Sequence, residues 1–60
     1  MNTLKQHREA AGLTQMELAK RTGIDQGYIS KLENGHADAT GRYWKMLAKV
    51  LGCSVGELMG

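Results

Sequence analysis

Residues 14–34 read TQMELAKRTGIDQGYISKLEN, and the order of residue types in this stretch decides the fold. Thr14 and Glu17 make a T-x-x-E pair, in which the hydroxyl caps an amide one turn on while the carboxylate reaches back to the threonine amide. A helix therefore opens here and runs through Leu18 and Ala19 to Arg21 or Thr22, and Gly23 stops it. Asp25 follows almost at once and can cap a second helix, which closes at Asn34-Gly35. Each small or apolar residue has a steric reason. Ala19 lets the next helix cross closely, Gly23 accepts the positive φ of a sharp turn, and Leu18, Ile24, Ile29 and Leu32 fill the angle between the helices.

Outward from this unit, the same signals repeat. Asn2 or Thr3 can cap a first helix running to about Ala11, with Gly12 as its stop and Leu4, Arg8 and Ala11 on one stripe. Thr40 can cap a fourth helix reaching Leu51 and closed by Gly52. Ser54 and Glu57 repeat the capping box for a short fifth helix carrying Val55, Leu58 and Met59. There is no proline, and Ala, Leu, Met, Lys, Gln and Glu are plentiful, so propensity favours helices throughout. The expected fold is all-α, a compact five-helix bundle.

Sixty residues make one domain, 1–60, with the two-helix unit at about 14–34. A chain this short buries only about 60% of its unfolded surface, which leaves little room for an enclosed active site. A core of this size rarely supplies more than about 3–5 kcal/mol, so a second copy or a partner would help it. Cys53 is the only cysteine, which excludes an internal disulfide and a thiolate zinc site. His7 and His36 are isolated from any ligand spacing and read as solvated; Trp44 and Met16 read as packing groups. No Ser/His/Asp or Cys/His arrangement, paired carboxylates or glycine loop after a strand is present, so no enzyme, metal or cofactor is expected. Without a membrane-length apolar run or a signal peptide, a cytoplasmic protein is expected. The net charge is only +2: residues 1–35 hold five basic and four acidic side chains, residues 36–60 three and two. Charge alone does not point to nucleic acid.

The third helix does. At about 100° per residue, Gln26, Gly27, Ser30, Lys31 and Asn34 share one arc and Tyr28, Ile29 and Leu32 the opposite one. The first arc is rich in hydrogen-bonding groups. Gln can pair with adenine N6 and N7, Lys can donate to guanine O6 or N7, and Ser can donate or accept.

Over nearly its whole length the chain resembles the Cro and phage-repressor type of helix-turn-helix domain. The segments LKQHREAAGLTQMELAKRTGIDQGYISKLENG and LAKVLGCSVGEL carry the likeness, with Gly-Leu-Thr-Gln, Glu-Leu-Ala and Leu-Glu-Asn-Gly in order. The resemblance implies a five-helix bundle whose third helix enters the major groove of double-stranded DNA, with base contacts at Gln26, Gly27, Ser30 and Lys31. It further implies backbone anchoring by Gln15, Tyr28, Asn34, Arg42 and Tyr43, roles that suit helix N-termini and amide, phenol and guanidinium donors. It also implies a partly buried salt bridge between Arg8 and Glu33, which resolves why a charge sits on the stripe of Leu4. Two departures stand out. Gly27 offers no side chain where the family usually has one that reaches a base, and the loop from His36 to Ala39 lacks the usual basic residues and carries Asp38.

On the fourth helix Tyr43, Trp44, Met46, Leu47, Ala48, Val50 and Leu51 spread over about 200°, more than one core contact needs. The surplus edge, Met46 and Val50 with Val55, Leu58 and Met59 of the fifth helix, is expected to form a homodimer interface. The expected function is a sequence-specific transcriptional regulator, a repressor, on a pseudo-palindromic operator, in a prokaryotic or phage context and without a small-molecule ligand. The alternative is a protein-interaction module on the same fold that has lost DNA binding.

Overall fold

The computed structural model describes residues 2–60. Five helices follow one another: α1 Leu4–Ala10, α2 Gln15–Thr22, α3 Gln26–Glu33, α4 Gly41–Leu51 and α5 Val55–Met59. No strand occurs among the described residues.

Local chemistry sets the boundaries. Thr14 Oγ1 accepts from the Glu17 amide at 3.0 Å while Glu17 Oε1 accepts from the Thr14 amide at 2.9 Å. Ser54 and Glu57 reproduce the arrangement at 3.1 and 3.0 Å. Both carboxylates titrate below the ordinary glutamate range, first because these backbone amides donate to them. Asp25 and Thr40 cap α3 and α4 by accepting from the Tyr28 and Tyr43 amides. In the α2–α3 turn Gly23 takes φ 77°, a left-handed conformation that a side chain resists. Thr22 stitches the same turn: its hydroxyl donates to Leu18 O at 2.8 Å and accepts from the Ile24 amide at 3.2 Å.

At α1 the capping is shared. Asn2 Oδ1 accepts from the Leu4 amide at 3.0 Å, whereas the Thr3 hydroxyl donates to Glu57 O at 2.6 Å, and the Thr3 amide donates to Leu58 O at 2.8 Å. The start of the chain is thereby tied to α5. Ala11 lies beyond the last full turn of α1 and is exposed, leaving Leu4 and Arg8 as the buried stripe.

Leu4, Leu18, Ile24, Ile29, Leu32, Trp44, Leu47, Ala48 and Leu58 form one core to which every helix contributes. The placement of Leu58 corrects an expectation. It is fully buried within the single chain, because α5 packs on α4 and α1 and turns this side chain inward, so it has no surface for a second copy. Met46, Val50 and Val55 are half-buried against the core, and only Met59, 56% exposed, points outward. Met16 is also exposed, at 54%, rather than packed. Leu18, two residues or about 200° further round α2, takes the inward position. His7 is half-buried, with Nδ1 placed 3.0 Å from Thr3 O to donate to it, while His36 is exposed.

Candidate nucleic-acid interface

Because Ile29 and Leu32 are locked in the core, α3 has a fixed rotation about its axis. That rotation exposes Gln26, Gly27, Lys31 and Asn34, with Ser30 half-buried between them. The only salt bridge among the described residues joins Arg8 to Glu33, so Lys31 and Arg42 carry charge that no carboxylate neutralises. The Asn34 side chain is partly committed: its amide donates back to Ser30 O at 2.9 Å, closing the end of α3.

Behind this arc lies a buried polar relay. Arg8 Nε donates to Glu33 Oε2 at 2.6 Å, Arg8 Nη2 to Glu33 Oε1 at 3.3 Å and Arg8 Nη1 to Leu13 O at 2.8 Å. Gln15 Nε2 then donates to Glu33 Oε1 at 3.0 Å. The hydrogen bond from Arg8 to Glu33 outweighs desolvation and raises the guanidinium pKa above its already high ordinary value. No buried side-chain nitrogen or oxygen lacks a partner among the described residues, so the charge is fully compensated. The relay ties α1 to the end of α3 and the start of α2. The link from Glu33 to Gln15 has no signal in the sequence, since eighteen positions separate the two.

The second flank is aromatic. Tyr28 and Tyr43 meet edge to face, with centroids 5.8 Å apart and planes at 75°. The Tyr28 hydroxyl donates to Asp38 O, so the residue is a strut between α3 and the loop before α4. Nothing local foretells this bond. With Ile24, Asp25, Thr40 and Arg42, the two rings line an open crevice of about 520 Å³ between the starts of α3 and α4. Arg42, in the first turn of α4, is exposed at its edge. The structure therefore brings Gln26, Tyr28, Arg42 and Tyr43 to adjoining parts of one surface, with Gln15 held at the start of α2.

The dimer candidates lie elsewhere, on α4 and α5. Met59 borders a second hollow with Asn2, Gly35, Ala37, Asp38, Ala39 and Trp44. No group of three or more metal-binding side chains converges among the described residues, and no helix is long and apolar enough to cross a membrane.

Comparison with known proteins agrees with this geometry. A helix-turn-helix family model matches residues 4–58. Repressor protein C of Rhizobium phage 16-3 is 42% identical over 57 residues, which cover 95% of this chain and 21% of the phage protein. An uncharacterized HTH-type transcriptional regulator, y4dJ, of Sinorhizobium fredii is 42% identical over 52 residues, covering 87% of this chain and 68% of that protein. The chain thus spans about a fifth of the length of the first relative and about two thirds of the second. A match over 55 of 60 positions, on a fold whose second and third helices cross at a glycine turn, places the chain in the helix-turn-helix family of DNA-binding transcriptional regulators, of the Cro and phage-repressor type.

Proposed function

We propose that the chain acts as one domain that binds a pseudo-palindromic operator as a homodimer and represses transcription, with α3 in the major groove. The observation that carries this reading is the outer arc of α3: Gln26 and Lys31 project from a helix whose opposite side is fixed in the core. Gln26 then pairs with adenine and Lys31 with guanine, with Ser30 reaching a neighbouring edge. Gly27 adds no side chain and allows close approach. The N-terminal amides of α2 at Gln15 and of α4 near Arg42 and Tyr43 hold the phosphates, aided by the Arg42 guanidinium and the remaining Asn34 amide hydrogen. Tyr28 contributes by bracing the α4 start rather than by giving its engaged hydroxyl proton to a phosphate. Met46, Val50, Val55 and Met59 supply the contact between copies, and the likeness to a phage repressor supports the repressing role. No cofactor, metal or small ligand takes part, and the setting is the cytoplasm of a prokaryotic cell, at the nucleoid.

Titration of a labelled duplex at salt concentrations from about 50 to 200 mM tests the reading. The expected result is binding whose logarithm falls linearly with the logarithm of salt. A second reading draws on Gly27 and on the exposed Asp38 of the loop before α4: a protein-interaction module that has lost DNA binding. It predicts no duplex binding at any salt concentration.

A further inference from the structure

The reader arc of α3 combines a missing side chain with an unneutralised charge. A Cβ placed on Gly27 would lie 3.0 Å from Asp25 Oδ2, so the Asp25 carboxylate fills the space that a side chain at position 27 would enter. It is held there by one long hydrogen bond, accepted from the Tyr28 amide at 3.3 Å. The cap uses Oδ2 and leaves Oδ1 for a further donor. Asp25 is exposed, and the sole salt bridge among the described residues lies elsewhere, so no cation neutralises it.

An anion on a surface that meets a duplex is repelled by phosphate and by the N7 and O6 acceptors of guanine. It is attracted only where an amino group projects into the groove. Adenine N6 projects, but N7 beside it opposes the second carboxylate oxygen. Cytosine presents N4 with no acceptor on its own edge.

We propose that Asp25, over the gap left by Gly27, is a specificity-determining residue that accepts a hydrogen bond from cytosine N4 next to the base met by Gln26. The proposal rests on α3 entering the major groove. Through it the third helix gains an acceptor at the position where Gly27 has none, and cytosine is favoured over the other bases by about tenfold at one position of each half-site.

Two variants test it, each compared with the unaltered chain by selecting bound duplexes from a randomised pool. Asp25→Ser keeps a capping oxygen and removes the charge. Asp25→Thr also keeps a capping oxygen without the charge, in a side chain of different shape. Both are expected to lose the cytosine enrichment, by about tenfold, at one half-site position while the rest of the selected sequence is unchanged. If both variants return the same sequence as the unaltered chain, Asp25 is not a reader, although α3 still is. If the unaltered chain enriches nothing, the groove-reading role of α3 fails, and the role of Asp25 with it.

Discussion

In the proposed reading, single side chains divide into readers, anchors and braces, and each kind fails differently when truncated. Lys31→Ala and Gln26→Ala remove base contacts, so each is expected to cost about 1–3 kcal/mol on the preferred duplex and to relax selection at one base pair. Arg42→Ala removes the proposed phosphate contact. It is expected to weaken all duplexes alike and to flatten the salt slope by about one unit, both measurable in the same titrations. Identical behaviour of the two kinds would merge the roles. Glu33→Gln belongs to the braces: Arg8 would keep its charge within the core without a counter-charge, at a cost of about 3 kcal/mol or more. A core of this size rarely supplies more than about 3–5 kcal/mol, so the variant is expected to melt far below the unaltered chain, and an unchanged melting curve would remove the relay from the stability account.

At the scale of the helices, boundaries were readable because their signals are local. Thr14 with Glu17, Ser54 with Glu57, Asp25, Thr40 and the terminating glycines act within one turn, and α2 to α5 start where these caps place them. The orientation of side chains on short elements was less readable. Met16 and Leu58 were given the wrong side because α2 and α5 are too brief for periodicity to choose the buried arc, which long-range packing decides instead. The capping boxes also impose a pH dependence. Glu17 and Glu57 have folded pKa values below their ordinary value of 4.5, so they stabilise the fold above that value and cease to do so as pH falls through the depressed ones. Thermal melting is therefore expected to move to lower temperature on acidification into this range. Glutamine keeps the box without titrating, so the double variant Glu17→Gln, Glu57→Gln is expected to show a smaller acid shift. An equal shift in both proteins would place the acid sensitivity elsewhere.

Across the whole molecule, two ties besides the Arg8–Glu33–Gln15 relay help to define how the outward surface is presented. Asn2 and Thr3 fasten the chain start to α3 and α5, through Leu32 O, Glu57 O and Leu58 O. The second tie is Tyr28 to Asp38, which steadies the loop leading to α4. Neither is legible in sequence, since each pairs a polar side chain with a backbone carbonyl far along the chain. The polar arc of α3, by contrast, was largely legible, with Gln26, Gly27, Lys31 and Asn34 exposed and Ser30 half-buried, because Ile29 and Leu32 leave it only one side to occupy. The proposed pairing of two copies is tested at this scale. If the chain pairs as proposed, Met59→Asp is expected to lower the sedimenting mass from a pair to a single chain and to weaken operator binding while the fold survives. Leu58→Ala should instead unfold the chain, costing about 2–5 kcal/mol. If Met59→Asp leaves the mass of the pair unchanged, the interface lies on another face.

The central claim is that the outer arc of α3 is the surface that meets DNA. Backbone amide shifts followed by NMR, as a duplex of the selected sequence is added, test it most directly. The largest changes are predicted at Gln26 to Lys31, with smaller ones at Gln15, Asn34, Arg42 and Tyr43. Changes confined to α4 and α5, with α3 unmoved, would contradict it.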